Sequence, residues 1–221
     1  MLGEAVVTCL FGRRGSGKST LGAHLAASAE RVIAFDPQKD YCGGVWVTCR
    51  SRTEVKNAIL SQYGGRVRVS YVPDLETLDP IAEAVWLAGI CRKLQRRYDV
   101  DHKPLTLLVD EAHLVFPNRR FAQEEAPLRR IVLQGRHDGI GLLVATQRPA
   151  NLSTDVRGQA ETFFAFAMPG KNDREAIAAI HQGAAAPMAK LEKYEFVKID
   201  GTEVLTGVLN LGTGTIALSK T

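Results

Sequence analysis

A short glycine-rich stretch, residues 12–19, constrains the folding of this chain more than any other part of the sequence. Its letters, GRRGSGKS, fit the pattern Gly-x-x-x-x-Gly-Lys-Ser/Thr. The apolar run before it (residues 5–11) predicts a buried strand, and the Ala/Leu-rich segment after it (residues 18–29) predicts a helix. A glycine-rich turn at that junction directs backbone N–H groups and the positive end of the helix toward phosphate oxygens. The pattern therefore predicts a site for a nucleoside triphosphate.

The residue types inside this loop suit a triphosphate and its metal ion. Lys18 is expected to reach the β- and γ-phosphates, and the Ser19 hydroxyl is expected to ligate Mg²⁺. ATP and Mg²⁺ are therefore the expected cofactors. The predicted nucleotide-binding segment consists of Gly12, Arg13, Arg14, Gly15, Ser16, Gly17, Lys18, Ser19 and Thr20.

Two adjacent carboxylates follow a second apolar run, residues 105–109, which has the composition of a strand buried on both faces. Asp110 is expected to hold Mg²⁺, largely through water. Glu111 is expected to orient the water that attacks the γ-phosphate and to accept its proton, which favours hydrolysis over phosphoryl transfer or simple switching. The alternative for Glu111 is a structural role, such as capping the next helix.

Strand and helix patterns alternate along the chain, separated by short Gly/Pro segments. They predict further strands over residues 32–35, 45–48, 67–72, 140–145 and 162–167, and helices over residues 53–60, 124–137 and 172–182. Asp79 and Pro80 are typical of a helix start, and the apolar stripe that follows continues to Tyr98. Residues 195–199 and 204–209 predict a closing hairpin. We therefore expect an α/β fold with a mainly parallel sheet, helices on both faces and a C-terminal β-hairpin.

Length and composition limit the class of protein. The 221 residues predict a single domain, with its core at about 5–182 and the hairpin and tail at about 193–221. A hydrophobic fraction of 45% and a charged fraction of 24% exclude disordered and fibrous classes. No apolar run is long enough for a membrane span, and the four cysteines are not spaced as a zinc or disulfide framework. We therefore expect no membrane segment and a cytoplasmic location.

Gln147 follows the next buried strand, where its amide can contact the γ-phosphate or the attacking water; the alternative is a strand-end amide that bonds the following turn. Its surroundings, residues 136–149 with the sequence RHDGIGLLVATQRP, resemble the HerA/FtsK branch of P-loop ATPases. Residues 168–177 (MPGKNDREAI) and the Asp36-Pro37 pair after the second strand are also similar to that branch. The resemblance covers about residues 5–180.

The resemblance implies a RecA-like fold of the additional-strand, catalytic-glutamate type, and a motor that works as a homo-oligomeric ring of five or six subunits. Glu111 is then the catalytic glutamate and Gln147 the sensor. A neighbouring subunit supplies an arginine to the active site. Arg136 matches that arginine by position, and Arg148, next to the sensor, is the second choice. The alternative for each is an ordinary surface charge or a salt bridge.

In its small size the chain resembles the genome-packaging ATPases of membrane-containing phages and viruses. The segments Asp-Glu-Ala (residues 110–112) and Phe-Pro-x-Arg (residues 116–119) are similar, more loosely, to the zonula occludens toxin-like assembly ATPases of filamentous phages. The leading interpretation is an ATP-driven translocase that moves double-stranded DNA into a viral capsid, with a portal protein as a partner. An ATPase for filament assembly or extrusion, and a binding module that uses hydrolysis only as a timer, are the alternatives.

A motor of this kind must hold the duplex by its phosphates without reading its bases. The chain has a net charge of +4 and carries several arginine doublets, and the guanidinium group matches phosphate oxygens. Arg119 and Arg120 follow the Asp110-Glu111 pair in a segment that could face the central channel of a ring. They are the predicted DNA contacts, and a solvated loop is the alternative.

Overall fold

A computed structural model describes residues 5–188, 190–211 and 215–220. Its strands form one sheet in the order β10-β9-β8-β7-β1-β6-β5-β2-β4-β3. The strands are β1 (Val7–Phe11), β2 (Arg31–Phe35), β3 (Val47–Cys49), β4 (Val67–Tyr71), β5 (Leu105–Val109), β6 (Ile140–Thr146), β7 (Thr162–Phe166), β8 (Glu195–Asp200), β9 (Glu203–Leu209) and β10 (Ile216–Lys220).

The central strands are parallel, as the continuous apolar runs predicted. β1 pairs with β6 on one side and with β7 on the other, and the parallel pairing continues through β5, β2 and β4 to β3. β6 therefore lies between β1 and β5, which is the arrangement that the additional-strand type requires. Because the carboxyl ends of parallel strands meet at one edge of the sheet, the segments after β1, β2, β5 and β6 converge there.

The helices are α1 (Lys18–Ala27), α2 (Arg52–Gln62), α3 (Pro80–Leu94), α4 (Tyr98–Asp101), α5 (Ala126–Gln134), α6 (Thr154–Gln159), α7 (Lys171–Ala178) and α8 (Ala185–Met188). They cover both faces of the sheet, although unequally. Side chains of α2, α3, α5, α6 and α7 belong to one buried cluster, whereas α1 packs in the other. Alternate residues of β1 divide between the clusters, with Cys9 and Phe11 in the first and Leu10 in the second. The predicted α/β fold class is thus confirmed.

One helix prediction was wrong in detail, and one helix had not been predicted. The Asp79 side chain caps α3 as expected, by accepting hydrogen bonds from the N–H groups of Ile81 and Ala82 at 3.3 and 3.0 Å. However, α3 ends at Leu94 rather than near Tyr98. There the Gln95 amide donates to the carbonyl oxygens of Lys103 and Gly139, both at 3.0 Å, so tertiary hydrogen bonds turn the chain away from the helix axis. Helix α6 was not predicted from the sequence.

The C-terminal hairpin is confirmed and is extended by a further strand. β8 runs antiparallel to β7, β9 antiparallel to β8, and β10 antiparallel to β9. Phe196, near the start of β8, pairs with Phe166 at the end of β7. The start of β8 and the end of β9 therefore lie at the same sheet edge as the segment that follows β1.

A buried arginine secures the far end of α1. The Arg68 guanidinium, on β4, donates to the carbonyl oxygens of Ala26 at 3.1 Å and Glu30 at 3.0 Å. Burial lowers the pKa of Arg68 to about 10. The last carbonyl groups of a helix lack intrahelical donors. Arg68 therefore anchors the helix that begins with the glycine-rich loop.

No helix within the described part of the chain combines the length and the apolar composition that crossing a membrane requires.

Candidate functional site

The glycine-rich loop occupies the turn between β1 and α1. Gly12 donates its N–H to the carbonyl oxygen of Thr146 at 3.3 Å, which ties the start of the loop to the end of β6. Gly15 and Gly17 have φ angles of 72° and 103°, a region in which side chains are disfavoured. Lys18 follows directly and is buried. Its charge therefore lies at the base of the turn, as a phosphate-binding lysine requires.

Asp110 and Glu111 lie at the end of β5 and are both buried. Burial raises the pKa of Asp110 to about 7, and the positive charge of Lys18 acts in the opposite direction. Glu111 adopts the left-handed conformation, with φ 45° and ψ 46°, which costs energy for a residue other than glycine. Such strained backbones occur at functional sites, where the surrounding structure holds them in place.

The Glu111 carboxylate is held on one oxygen only. Oε1 accepts a hydrogen bond from the Gln147 amide nitrogen at 2.5 Å. Oε2 is buried, and among the described residues it accepts no hydrogen bond, although His113 Nδ1 lies 3.4 Å away. A buried carboxylate oxygen without a donor is costly unless a water or a ligand supplies one. The second oxygen thus retains unused capacity to accept a hydrogen bond.

Gln147 connects this glutamate to the phosphate loop. Its amide nitrogen donates to Glu111, and its carbonyl oxygen accepts from the backbone N–H of Arg14 at 3.1 Å. The side chain therefore does not bond the turn after β6, which was the alternative considered for it. A movement of the phosphate loop would therefore displace Glu111 through the Gln147 side chain.

His113 is a residue whose place in the site the sequence did not indicate. Its Nδ1 lies 3.0 Å from the Thr146 hydroxyl as well as close to Glu111. Burial lowers the pKa of His113, and Arg148 adds to that effect against the opposing charge of Glu111. The imidazole is therefore neutral at neutral pH and leaves the charge of Glu111 uncompensated.

Asp40 is a second unpredicted member of the site. It lies in the segment after β2, where it accepts a hydrogen bond from the Ser19 hydroxyl. The buried Asp36 carboxylate fixes this segment by accepting from the backbone N–H groups of Asp40 and Tyr41, at 2.8 and 2.9 Å. The convergence of parallel strands at one edge was the signal that could have pointed to Asp40.

The residues present suit the chemistry of Mg²⁺. Ser19 and Asp110 were predicted to bind it, and both bring oxygen donors to the loop, with Asp40 beside Ser19. Mg²⁺ prefers oxygen ligands and is commonly held by one or two side chains together with substrate phosphates and water. In the described residues no group of three or more His, Cys, Asp or Glu side chains could hold a metal ion alone. A metal shared with a bound nucleotide fits this donor set.

Most of the side chains described above line one cleft of about 370 Å³, whereas Asp110 and His113 are not among its lining residues. Lys18, Ser19, Asp40, Glu111 and Gln147 form its polar part. Arg14, Gly15, Gly17 and Thr20 also line it, whereas Ser16 is buried behind the loop. The structure therefore gathers most of the predicted nucleotide-binding segment around one opening.

The predicted trans-acting arginines lie apart from this cleft. Arg136 precedes β6, whose seven residues span about 20 Å, so it lies at the opposite edge of the sheet. It is largely exposed, and its Nη1 is 3.5 Å from Glu161 Oε1. Arg148 is exposed and directly follows Gln147 at the edge that holds the cleft. Arg13 is exposed and points to a neighbouring depression beside Met168.

The two predicted DNA contacts differ from each other. Arg119 forms two hydrogen bonds, of 2.9 and 2.6 Å, with the carboxylate of the buried Glu125. This ion pair folds the segment between β5 and α5 onto itself, and Glu125 also accepts from the N–H of Ala122. Arg120 is exposed, and its carbonyl oxygen accepts from Arg119 Nη1. Arg119 is therefore engaged in structure, and Arg120 remains the better candidate for a phosphate contact.

Comparison with known proteins places this geometry among P-loop ATPases. Residues 71–193, more than half of the chain, match the family described as Zonular occludens toxin (Zot). The probable DNA double-strand break repair helicase HerA of Methanocaldococcus jannaschii is 31% identical over 97 residues, which are 43% of this chain and 19% of that protein. For HerA of Pyrococcus furiosus the identity is 27% over 88 residues, or 40% of this chain and 16% of that protein. The chain spans about a fifth of the length of the curated relatives it matches.

Solved structures show the same fold over almost the whole chain. The genome packaging NTPase B204 of Sulfolobus turreted icosahedral virus 2, in complex with AMPPCP, has a TM-score of 0.68 at 23% identity and covers 98% of this chain and 97% of its own. VirB4 of Thermoanaerobacter pseudethanolicus has a TM-score of 0.61 at 15% identity, with 90% and 88% covered. Together with the HerA relatives, these structures confirm the resemblance to HerA/FtsK-type P-loop ATPases that the sequence motifs predicted.

Proposed function

The chain belongs to the zonular occludens toxin (Zot) family, and from that premise and the geometry of the cleft we propose that it hydrolyses ATP to move double-stranded DNA. The observation that carries the proposal is the Glu111 carboxylate, which Gln147 holds by one oxygen while the other has no donor. A carboxylate that is held by one oxygen beside a phosphate loop keeps the other oxygen as a proton acceptor.

Each side chain of the cleft then has a chemical task. Lys18 compensates the charge that develops on the β- and γ-phosphates. Ser19 and Asp110 would hold Mg²⁺, which neutralises phosphate charge when bound. Glu111 orients the attacking water and takes its proton. Gln147 keeps Glu111 in position relative to the loop.

The DNA part of the proposal is supported by similarity to HerA, a DNA repair helicase, and to B204, a genome packaging NTPase. Packaging of a viral genome through a capsid portal, in the host cytoplasm or within the virion, is the specific form that we propose. Arg120 is the leading DNA contact, because Arg119 is engaged with Glu125.

A ring of five or six copies is part of the same proposal. Arg136 or Arg148 would then reach the γ-phosphate of the neighbouring subunit. An arginine supplied in this way contributes about 10³-fold or more to hydrolysis. Subunits with Arg136→Ala should regain activity when mixed with Glu111→Gln subunits, since a mixed interface joins two intact halves. Arg148→Ala subunits are tested in the same way. A shared site would be refuted if no mixture regains activity although the subunits are shown to co-assemble.

A second function deserves testing because of the family itself. The zonula occludens toxin-like proteins of filamentous phages are assembly ATPases, and residues 71–193 match that family. In such a role hydrolysis would drive the assembly or extrusion of a filament rather than the movement of free duplex DNA.

The decisive experiment compares phosphate release from ATP with and without duplex DNA, for the natural chain and for Glu111→Gln. Stimulation of the natural chain by DNA supports translocation. Hydrolysis that is indifferent to duplex DNA, but depends on a phage assembly partner, supports the second function. Absence of hydrolysis under all these conditions would refute both. Measuring the mass of the assembly in the same samples, with a non-hydrolysable ATP analogue bound, determines how many subunits it contains.

A further inference from the structure

The cleft has a second wall that none of the predicted residues forms. Tyr194, just before β8, and Leu211, just after β9, line it opposite the polar side chains. They lie there because β8 runs antiparallel to β7 and β9 antiparallel to β8, which brings the start of β8 and the end of β9 to the edge where the phosphate loop is.

This wall is in contact with the phosphate loop. A Cβ atom on Gly17 would lie 2.8 Å from Leu209 Cδ2 and 3.4 Å from Tyr194 Cδ1. The backbone there is held as well, because Leu209 donates its N–H to the carbonyl oxygen of Tyr194 at 3.0 Å. Packing against the phosphate loop and this backbone hydrogen bond therefore fix the position of Tyr194.

The conformation of Tyr194 is itself unusual. Its φ of 70° lies in the left-handed region, which is unfavourable for a residue other than glycine or asparagine. Such strain persists where the surrounding structure requires it, and it is concentrated at ligand-binding positions. The Lys193 ammonium lies over one face of the ring, 4.8 Å from the centroid, and the Tyr194 side chain also lines the cleft.

The cleft has a polar part and an apolar part. The polar part carries the charges that suit a triphosphate, whereas Tyr194 and Leu211 are the large apolar side chains among its described lining residues. Leu211 is 45% exposed, a high value for a leucine beside a pocket. A purine base has an apolar, polarisable face that stacks on aromatic rings. An ATP molecule with its phosphates on the loop has its base at the other end.

We propose that Tyr194 and Leu211 form the nucleobase-binding wall of this cleft, with the base stacked on the face of the Tyr194 ring that Lys193 does not cover. The inference rests on the proposed function, since it presumes that a nucleoside triphosphate occupies the loop. It adds that the C-terminal sheet extension takes part in substrate binding, because both residues belong to its ends.

The test measures equilibrium binding by calorimetry for two ligands in the presence of Mg²⁺, namely ATP and inorganic tripolyphosphate. Tyr194→Ala should raise the Kd for ATP by about 5- to 150-fold, the range seen when an aromatic stacking partner is removed. The Kd for tripolyphosphate should change less than about twofold, because that ligand has no base. Tyr194→Phe should retain ATP affinity, since the ring is kept. Tyr63→Ala, at an exposed tyrosine just beyond α2, is the matched control and should change neither ligand.

Three results would overturn the inference. Equal weakening of both ligands by Tyr194→Ala would show that the residue acts through its contact with Gly17. Unchanged affinity for ATP would place the base elsewhere. Failure of the natural chain to bind either ligand would refute the proposed function as well, and is thus distinguishable from the first two.

Discussion

Replacement of Glu111 by glutamine tests the catalytic assignment most directly. The two side chains have the same shape, so the amide oxygen of the variant can still accept the hydrogen bond from Gln147. Packing and water position are therefore conserved, and only proton acceptance is lost. A general base contributes about 10²- to 10⁴-fold to a rate. The lower limit corresponds to about 2.7 kcal/mol of transition-state stabilisation.

Glu111→Asp separates position from basicity. The aspartate keeps the carboxylate but is shorter by one carbon–carbon bond of about 1.5 Å. The 2.5 Å contact with Gln147 would then open to roughly 4 Å, beyond hydrogen-bonding distance. Because a misplacement of about 1 Å can cost up to 10²-fold, we expect a substantial loss of rate although the base is present.

The assay is single-turnover phosphate release together with a separate measurement of ATP affinity. Both variants should bind ATP within about twofold of the natural chain, because Glu111 does not contact the loop lysine in this geometry. Glu175→Gln, at an exposed glutamate on α7 paired with Lys171, is the matched control and should hydrolyse normally. Natural turnover in Glu111→Gln would refute the assignment. So would a loss of ATP affinity as large as the loss of rate.

Four further outcomes follow from named contacts. Lys18→Ala should weaken ATP binding strongly while the melting temperature stays close to that of the natural chain, measured by calorimetry and thermal denaturation. Arg119→Ala should lower the melting temperature, because the buried Glu125 loses its partner. The Arg119 side chain holds the pKa of Glu125 below its ordinary value, so this stabilisation is present at neutral pH and is lost as pH falls through the lowered pKa. The free energy of unfolding should therefore fall less steeply with decreasing pH in Arg119→Ala than in the natural chain. An unchanged pH dependence would contradict the ion pair. Arg120→Ala should keep basal ATPase activity and the melting temperature, but lower the salt slope of DNA binding by up to about 0.9, whereas Arg120→Lys should keep the slope. Arg68→Met should cost about 1–3 kcal/mol in urea denaturation, since it leaves carbonyl groups at the end of α1 without donors.

Several features of the site could be predicted from sequence because they are local. The phosphate loop, Asp110 and Glu111 were found from spacing and from the apolar runs before them, and the structure places most of the loop and Glu111 on one cleft, with Asp110 buried next to Glu111. The cap at Asp79 was found in the same way. Each of these motifs occupies only a few consecutive residues, so the local pattern of residue types identifies it.

Contacts between distant segments had no such signal. The loop after β2 brings Asp40 to Ser19, and the segment before β8 brings Tyr194 to Gly17, across 21 and 177 positions of the chain. The engagement of Arg119 by Glu125 spans only six positions, yet nothing in the sequence indicated it, because no periodic pattern marks the irregular segment that holds Arg119. The early end of α3 likewise depends on two carbonyl groups outside the helix.

The sequence by itself therefore determined the type of sheet, the phosphate loop and the order of the carboxylates, because hydrogen bonding and burial within one strand or one turn depend on neighbouring residues. The tertiary structure decided which loops share the cleft, which arginines are already paired, and that Arg136 lies at the far edge of the sheet. These properties depend on strand order and direction. In particular, the antiparallel strands beyond β7 bring the ends of the C-terminal extension to the edge where the parallel strands end, beside the phosphate loop.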